Sequence, residues 1–429
     1  MSTNRRYKSR RDSDRKISIS SRETPHCRVC RSTSLTSVLD LGEQALTGLF
    51  PHPGEMIGGG PLDLVWCSDC GLLQLRHSYD PEAMYGKDYG YRSGLNGSMV
   101  NHLVNKAKRL EELTMLQSGD VVLDIGCNDG TLLGGYSASG IERFGIDPTA
   151  DKFREFHPTG ITAVAEFFNA ATYGALTSKK AKIITSIAMF YDLEDPVSFA
   201  QEVASCLADD GIWHFEQSYM PSMLRAGSYD TVCHEHIEYY SLKAVTRVLS
   251  AAGLVPAHVR FNSVNGGSFS VTAMKATSAR LGEQALTDWL LGQEDRMGLW
   301  SPAPFRQFEE RVFRHRADLV ALLKALKGSG SSIMGYGAST KGNVMLQFCG
   351  ITPELVSGIG EVNPDKYGRV TPGTEIPIVS EAEMHAAKPD YLLVLPWHFR
   401  EGILQREKEF LKRGGRLIFP LPEIEIVGD

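Results

Sequence analysis

The sequence predicts an α/β protein with two Rossmann-like, doubly wound domains and a small N-terminal zinc-binding module. Two Cys-x-x-Cys pairs near the N-terminus predict the module. Alternating strand and helix patterns then occur in two separate regions, and each region opens with a Gly-rich turn. A chain of 429 residues is also too long for a single ordinary core.

The two cysteine pairs consist of Cys27, Cys30, Cys67 and Cys70. Four thiolates at this spacing form the tetrahedral ligand set of a closed, structural Zn²⁺ site. Because a closed site has no open coordination position, its metal supports the fold and takes no part in catalysis. Two local disulfides are the competing interpretation, but they would require an export signal that the sequence does not show.

The composition is that of a globular protein, with 42% hydrophobic and 22% charged residues. The net charge of −6 gives no electrostatic support for a nucleic-acid partner. No apolar run is long enough to predict a membrane span. Scattered cysteines beside a zinc site favour a reducing compartment. We therefore expect a cytoplasmic protein with a small-molecule ligand, either a monomer or a weak homodimer.

The patterns divide the chain into four parts. Residues 1–22 carry many Lys and Arg residues without an apolar run, which predicts a disordered tail. The zinc module covers residues 23–80, and the two α/β domains cover residues 81–300 and 301–429. We predict strands at 61–66, 121–125, 144–147, 161–164, 183–187, 212–215, 333–337, 391–395 and 416–419. We predict helices at 98–116, 197–207 and 305–326, and a hairpin around Asn265-Gly266-Gly267.

The first strand–helix turn reads Asp124-Ile-Gly126-Cys-Asn128-Asp-Gly130. It differs from the dinucleotide fingerprint G-x-G-x-x-G. Its glycines allow the backbone to approach a ligand closely, and Asp124 suits a cationic amino-acid group better than a pyrophosphate. The alternative interpretation is a tight turn without a ligand.

Acidic and aromatic residues follow the next two strands. Asp147 ends the second strand, where a carboxylate can accept hydrogen bonds from both ribose hydroxyls of a nucleoside. Glu166 and Phe167 follow the third strand, where an adenine would lie, although an aromatic residue there is often part of the core. Together with the Gly-rich turn, these residues predict the S-adenosylmethionine site of a class I methyltransferase.

His234, Glu235 and His236 follow the fifth strand in immediate succession. If this segment is extended, the two histidines project to one face and Glu235 to the other. Histidine is the usual general base near neutral pH, and a neighbouring carboxylate can orient it. Ligands bind at the carboxyl end of such sheets, which favours catalysis over a surface or metal-binding histidine pair.

A second Gly-rich turn runs from Gly335 to Asn343 and opens a helix. Backbone N–H groups at a helix N-terminus and a lysine can bind an anion, so we expect two phosphates near Ser339 and Lys341. Trp397 and His398 follow a later strand and are expected to border the same cleft. The turn lacks the P-loop spacing, so ATP hydrolysis is not expected. Simple packing of strand on helix is the alternative.

With these motifs assembled, residues about 25 to 425 resemble the sugar C-methyltransferases that act on nucleotide-linked keto-deoxysugars. The resemblance rests on the order of the two cysteine pairs, Tyr-x-Tyr-Arg-Ser-Gly, the two Gly-rich turns, Tyr-Asp-Thr-x-x-His-Glu-His and Asn-Gly-Gly-Ser. It implies methylation of the sugar carbon next to a keto group through an enolate. It also implies that His236 is the base, that Glu235 is its neighbour, and that Tyr89 or Tyr91 lines the sugar pocket. The role of His234 is left open between orientation and packing.

Two positions depart from the family pattern. Cys233 stands where a tyrosine often precedes the His-Glu-His motif, and residues 188–193 lack a histidine that some relatives carry. These departures weaken the expectation of a 3-amino-4-keto sugar as substrate. Tyr191 or Tyr239 is a candidate substitute, and Cys233 is expected to be a small packing residue rather than a nucleophile.

Two other function classes remain open from the sequence. One is an O- or N-methyltransferase on a nucleotide sugar or a related small molecule, which would need no enolate. The other is a non-catalytic scaffold whose Rossmann-like domains bind nucleotides, although the pair of Asp124 and Asp147 argues against it.

Overall fold

The computed structural model describes residues 21–80, 84 and 91–428. Residues 1–20 of the expected tail and Tyr89 lie outside the described residues. The strands are β1 (Arg22–Glu23), β2 (Leu35–Ala45), β3 (Gly59–Cys67), β4 (Leu73–Leu75), β5 (His77–Ser78), β6 (Val121–Ile125), β7 (Glu142–Ile146), β8 (Ile161–Val164), β9 (Ala181–Ile187), β10 (Leu207–Ser218), β11 (Glu238–Tyr239), β12 (Leu254–Asn262), β13 (Ser268–Lys275), β14 (Ile333–Tyr336), β15 (Ile359–Glu361), β16 (Ile378–Ser380), β17 (Tyr391–Val394), β18 (Arg416–Phe419) and β19 (Glu425–Val427). The α-helices of these ranges are α1 (Gly97–Thr114), α2 (Thr131–Gly134), α3 (Ala170–Leu176), α4 (Pro196–Cys206), α5 (Met220–Ala226), α6 (Leu242–Ala251), α7 (Gln284–Arg296), α8 (Ala303–Gly328), α9 (Thr340–Cys349), α10 (Glu381–Ala386), α11 (Arg400–Arg406) and α12 (Lys408–Lys412).

The N-terminal module is built on an antiparallel sheet with the strand order β11, β4, β3, β2. The strand predicted at 61–66 lies within β3. β2 was not predicted, because two register shifts, between Ser37 and Leu39 and between Asp40 and Glu43, break its two-residue alternation. β11 comes from the central domain and directly follows the His-Glu-His motif. The module and the motif therefore share one sheet.

The central domain contains a seven-stranded sheet in the order β12, β13, β10, β9, β6, β7, β8. Strands β6 to β10 are parallel, and β13 is antiparallel to both of its neighbours. All five residues of β6 are buried, which is typical of a parallel strand covered by helices on both faces. The expected strands, the hairpin and the two helices of this region are all present. β10 extends beyond the predicted 212–215 because an irregular stretch between Leu207 and Ile212 continues its pairing with β9.

The C-terminal domain contains a six-stranded sheet in the order β16, β15, β14, β17, β18, β19. Only β19 runs antiparallel to its neighbour. The chain moves outward in one direction from β14 through β15, and it returns to the other side of β14 at β17. The crevice at the carboxyl ends of β14 and β17 is therefore the topological switch point, where open α/β sheets bind ligands. Helix α8, predicted at 305–326, leads into this domain.

The zinc module packs against both larger domains. Cys27, Cys67 and Leu72 belong to the same buried apolar cluster as the core of the central sheet. Leu39 and Leu62 belong to the cluster that fills the C-terminal domain. Of the helices in the described ranges, none is both long and apolar enough to cross a membrane.

Candidate active site and zinc site

The four cysteines predicted as metal ligands come together at the end of the N-terminal sheet. Their sulfur atoms all lie within 4.8 Å of one another. The closest pairs join the two knuckles, with 3.4 Å between the sulfurs of Cys27 and Cys70 and 3.6 Å between those of Cys30 and Cys67. A disulfide needs a spacing of about 2 Å, whereas four thiolates at about 2.3 Å from one Zn²⁺ lie about 3.8 Å apart. The arrangement fits a structural zinc ion and not the two local disulfides.

The first Gly-rich turn brings together the acidic residues predicted to bind the cofactor. The Asp124 carboxylate accepts a hydrogen bond of 2.6 Å from the Thr185 hydroxyl, and burial raises the pKa of Asp124 to about 7. The Asp147 carboxylate accepts bonds from the backbone N–H of Asn128 at 2.8 Å and from the backbone N–H of Thr149 at 2.6 Å. Both acids are therefore fixed at the carboxyl ends of adjacent strands. Asp147 also accepts from the Thr149 hydroxyl at 2.6 Å, so one acceptor site, on Oδ2, is left for a ribose hydroxyl.

The backbone of this turn leaves space for a ligand. Gly126 and Gly130 have φ values of 77° and 75°, which a side chain rarely allows. Asn128 also has a positive φ, of 49°, and its side chain bonds to the backbone of Tyr91 and Ser93. Asn128 and Tyr91 thus hold the segment before α1 against the turn, and Tyr91 lies beside the cofactor turn.

Glu166 and Phe167 follow β8 and lie on the surface, and their contact with the cofactor stays a prediction. Glu166 is exposed, and 50% of Phe167 is exposed to solvent. The next aromatic residue, Phe168, packs on Phe199 with 5.2 Å between the ring centroids. Phe168 therefore belongs to the core, whereas the Phe167 ring is free to contact an adenine.

The His-Glu-His motif forms a turn, so the expectation of an extended segment is wrong. The His236 backbone N–H donates to the Cys233 carbonyl at 3.2 Å. Because of this turn, the two histidines point to different neighbours. The Nδ1 of His236 lies 3.2 Å from the Thr231 carbonyl oxygen, and its ring lies 4.2 Å from that of Tyr191. A carbonyl oxygen only accepts, so Nδ1 carries the proton and Nε2 is the basic atom.

His236 is kept neutral by its surroundings. Burial and the positive charge of Lys341 lower its pKa to about 3, against the opposing effect of the Thr231 carbonyl. The imidazole is therefore unprotonated across the whole neutral range, with its lone pair on Nε2. Sequence reasoning, which started from the unperturbed pKa of histidine, did not predict this shift.

His234 is fully buried against the zinc module. Its Nε2 lies 3.3 Å from the Gly60 carbonyl oxygen, and its Nδ1 lies 3.5 Å from the Thr47 hydroxyl. The Tyr79 ring packs edge-on at 4.7 Å. With both nitrogens directed at the module, this environment favours the orienting or packing role that the sequence left open.

Glu235 lies where the zinc module meets the C-terminal domain. One of its carboxylate oxygens is 3.5 Å from the Thr47 hydroxyl, and burial raises its pKa. Gly48 approaches so closely that an added Cβ would lie 2.0 Å from the other oxygen. No pattern in the sequence predicted that Thr47 and Gly48 would contact this motif.

The second Gly-rich turn contributes fewer free groups than the sequence predicted. The Ser339 hydroxyl caps α9 by accepting from the Gly342 N–H at 3.0 Å. The Asn343 side chain is fully buried and donates to the Thr47 carbonyl at 2.8 Å. Lys341 donates from Nζ to the Asn265 carbonyl at 2.7 Å. Ser339 and Asn343 therefore have structural partners, and Lys341 alone carries a cation into the cleft from this turn.

Asp230 is a buried acid that the sequence analysis did not single out, although it stands in the Tyr-Asp-Thr motif. One of its carboxylate oxygens accepts from the Trp397 indole N–H at 2.8 Å, and the other has no hydrogen-bond partner among the described residues. Burial raises its pKa against the opposing charge of Lys341. Burial and Lys341 together lower the pKa of neighbouring His398 to about 3. Trp397 and His398 thus lie near Asp230 and Lys341, and their contact with a substrate stays a prediction.

The two departures from the family pattern have structural counterparts. Cys233 is fully buried, and burial raises its pKa well above the usual range, which fits a packing residue. Tyr191, from the segment that lacks a histidine, contacts the His236 ring. Tyr239 is buried and donates to the Thr231 carbonyl at 3.3 Å, the same oxygen that His236 contacts. Tyr191 is therefore the better placed of the two candidate substitutes.

Comparison with known families matches this chain in three consecutive parts. Residues 27–85 match a zinc binding domain, residues 101–259 match a methyltransferase domain, and residues 263–422 match a C-methyltransferase C-terminal domain. The C-methyltransferase NovU of Streptomyces niveus is 30% identical over 411 residues, which cover 95% of this chain and 97% of that protein. The expected cofactors, S-adenosylmethionine and a structural zinc ion, are thereby confirmed.

Solved structures similar to this chain include other methyltransferases. A complex of the Haloferax volcanii Trm112 methyltransferase activator with a methyltransferase is 17% identical and covers 42% of this chain and 94% of that chain, with a TM-score of 0.34. The magnesium protoporphyrin IX methyltransferase of Synechocystis, with bound SAH, is 14% identical and covers 41% of this chain and 84% of that chain, with a TM-score of 0.31.

Proposed function

This chain belongs to the family of S-adenosylmethionine-dependent C-methyltransferases, and we propose that it methylates the carbon next to the keto group of a nucleotide-linked deoxysugar. The reaction proceeds through an enolate formed by a base. The observation that carries this proposal is the contact of 3.2 Å between Nδ1 of His236 and the Thr231 carbonyl oxygen, which leaves Nε2 unprotonated and able to accept a proton. Carbon methylation needs such a base because a C–H bond is not itself a nucleophile.

The position of these groups supports the assignment. His236 follows the fifth strand of the cofactor-binding sheet, and Lys341 follows the first strand of the C-terminal sheet. The charge of Lys341 acts on His236, and its Nζ donates to the Asn265 carbonyl of the central domain at 2.7 Å, so these residues of the two domains lie close together. A substrate held at the switch point would present its sugar to His236.

Each group has a definite task in the reaction. S-adenosylmethionine supplies an electrophilic methyl group when bound. Nε2 of His236 takes the proton from the carbon next to the carbonyl, and the electron pair of the C–H bond moves onto the carbonyl oxygen. The charge of Lys341 stabilises that oxyanion. The enolate carbon would then be the nucleophile for the methyl group that S-adenosylmethionine would supply, with S-adenosylhomocysteine as the leaving group. The low pKa of His236 lets the imidazolium release its proton readily afterwards.

An O- or N-methyltransferase on the same substrate is the second candidate function. It would use a hydroxyl or amine as the nucleophile and would not require removal of a carbon-bound proton. Deuterium exchange separates the two, because a C-methyltransferase exchanges the proton next to the keto group in D₂O without turnover of the cofactor.

The test is to incubate the protein with S-adenosylmethionine and a panel of nucleotide-linked 4-keto-6-deoxysugars. We expect one sugar to gain the mass of one methyl group on carbon. We also expect exchange of the adjacent proton in D₂O when S-adenosylhomocysteine replaces the methyl donor. A methyl group found on oxygen or nitrogen, without exchange, would move the assignment to the second candidate.

A further inference from the structure

A cavity of about 640 Å³ opens beside the proposed reaction centre. Three elements enclose it: helix α5, the turn of the β12–β13 hairpin, and the segment that follows β17. We call it the hairpin cavity. The residues that line it include Ser222, Arg225, Phe261, Ser263, Trp397 and His398. Its volume exceeds what a keto-deoxysugar alone would fill, so it has room for a further part of the substrate.

The hairpin cavity is linked to the surroundings of His236 by residues that take part in both. Trp397 lines the cavity and at the same time donates to the Asp230 carboxylate. Lys341, whose charge acts on both His236 and His398, reaches the hairpin turn by its bond to the Asn265 carbonyl. A ligand that extends away from His236 past Lys341 and His398 would therefore enter this cavity.

Arg225 is the free cation of the cavity. It is exposed, and within the described residues its guanidinium has no hydrogen bond or ion pair. Lys341, in contrast, lies beside the buried carboxylate of Asp230 and already donates to a carbonyl. The Lys341 ammonium thus already has partners in the protein, whereas the exposed guanidinium of Arg225 is available to an anion.

The opposite wall offers an apolar face. Phe261 is 45% exposed, and its ring packs against Tyr219 with 5.0 Å between centroids. Tyr219 is itself held by a hydrogen bond of 2.7 Å to the Glu294 carboxylate. A fixed aromatic ring with one open face is suited to stacking on a planar base, which contributes about 1–3 kcal/mol in nucleic-acid binding sites.

We propose that the hairpin cavity binds the nucleoside diphosphate part of the substrate, with the diphosphate at Arg225 and the base against Phe261. Ser222 and Ser263 flank the diphosphate with hydroxyl donors. This inference rests on the proposed function, and it moves the diphosphate from Ser339 and Lys341, where the sequence predicted it, to the opposite side of the hairpin turn. Lys341 is left to act on the sugar.

The test measures binding by calorimetry to the full-length, zinc-loaded protein saturated with S-adenosylhomocysteine. The probes are thymidine diphosphate, uridine diphosphate, thymidine and inorganic pyrophosphate. We expect Arg225→Gln to lower the affinity for both nucleoside diphosphates and for pyrophosphate by about 10–100-fold, because it removes charge-assisted hydrogen bonds. Phe261→Ala should lower the affinity for thymidine and for the nucleoside diphosphates but leave the affinity for pyrophosphate unchanged. Arg247→Gln, an exposed arginine on α6, is the matched control and should change nothing.

Two results would overturn the inference. The first is unchanged affinity for nucleoside diphosphates in both Arg225→Gln and Phe261→Ala. The second is loss of pyrophosphate binding in Lys341→Met but not in Arg225→Gln, which would return the diphosphate to the Gly-rich turn. Affinity for S-adenosylhomocysteine reports whether each variant is folded.

The experiments distinguish an error in the assignment of the cavity from an error in the proposed function. If diphosphates bind through Arg225 but no nucleotide-linked keto sugar is methylated, the cavity stands and the function is wrong. If a keto sugar is methylated and Arg225→Gln leaves its KM unchanged, the function stands and the cavity assignment is wrong.

Discussion

The two Rossmann-like domains open with turns of the same topology but of different chemistry. In the central domain, Asp124 is the penultimate residue of the first strand, β6, and Asp147 directly follows the second, β7. In the C-terminal domain, Gly335 holds the position that corresponds to Asp124, and Glu361 ends the second strand, β15. Glu361 accepts hydrogen bonds from the backbone N–H groups of Ala338, Val362 and Asn363 at 2.8–2.9 Å. Its carboxylate is thus used to hold the turn and its neighbouring loop.

The zinc module adds to this difference because it packs against the C-terminal domain near the second Gly-rich turn. Phe50 packs under the Lys366 ammonium at 4.4 Å from its ring centroid, and its carbonyl accepts from Arg369 at 2.9 Å. Lys366 in turn donates to the carbonyl of Ala338 in the turn, at 2.8 Å. The comparison teaches that a shared strand order does not decide the ligand. One turn carries the acids that we predict bind the nucleoside of the cofactor, and the other is braced by the protein and carries a lysine.

Removal of zinc should have the largest effect on this arrangement. Structural Zn²⁺ contributes about 10–16 kcal/mol of apparent binding free energy in isolated zinc-finger peptides, so Cys67→Ser should sharply lower the Tm of the protein. Because the module braces the second turn, substrate affinity should fall more than S-adenosylhomocysteine affinity. Calorimetric unfolding, metal analysis and titration of both ligands measure these effects.

The control for the zinc variant is Cys206→Ser, which changes a buried cysteine away from the four ligands. It should retain one zinc per chain and most of the stability. Carefully purified wild-type protein that contains no zinc, or equal loss of stability in the two variants, would contradict the metal assignment.

The second largest effect should be a loss of catalytic rate when His236 is replaced. His236→Asn keeps a polar side chain but removes the basic nitrogen, and loss of a general base typically lowers the rate by about 10²–10⁴-fold. Substrate and cofactor affinities should remain. Single-turnover rates and binding titrations measure the two effects separately.

His234→Asn is the matched variant for that experiment. Because His234 is buried against the zinc module, we expect reduced stability with a smaller loss of rate. If His234→Asn were inactive while His236→Asn retained near-full turnover, the base would be assigned to the wrong histidine. If both remained active, the motif would be structural.

Much of the fold could be predicted because its signals are local. The buried parallel strands are continuous apolar runs, and the knuckles and Gly-rich turns have fixed spacings. The contacts that complete the candidate site are not local. The bond between Asn343 and the Thr47 carbonyl joins residues 296 positions apart, and the pairing of β11 with β4 crosses from one domain to another. No periodicity in the sequence records such contacts, nor the approach of Lys341, which helps to lower the pKa of His236.

A pair of substitutions tests the comparison of the two acids directly. Asp147→Ala should weaken S-adenosylmethionine binding by about 1–3 kcal/mol, because ribose hydroxyls lose their acceptor. Glu361→Ala should lower the stability of the protein, because three backbone N–H groups lose their hydrogen-bond acceptor. It should leave cofactor affinity unchanged. Calorimetric titration with S-adenosylmethionine and thermal unfolding provide both readouts. Equal loss of cofactor affinity in the two variants would remove the distinction between the turns.

The smallest effect concerns the dependence of stability on pH. The folded protein lowers the pKa of His234 to about 4 by burial, whereas the unfolded chain has the ordinary value of about 6.5. The unfolded state therefore binds more protons between these values, and the free energy of unfolding falls as the pH drops below about 6.5. For this one histidine the loss is about 1–2 kcal/mol between pH 7 and pH 5. The raised pKa of Asp124 acts in the opposite direction, so the difference between wild type and His234→Asn is the quantity to measure. Denaturant unfolding at pH 7 and pH 5 should show that the difference in free energy of unfolding between the two proteins is smaller at pH 5. A difference that is the same at both pH values would mean that His234 is not held neutral by the zinc module.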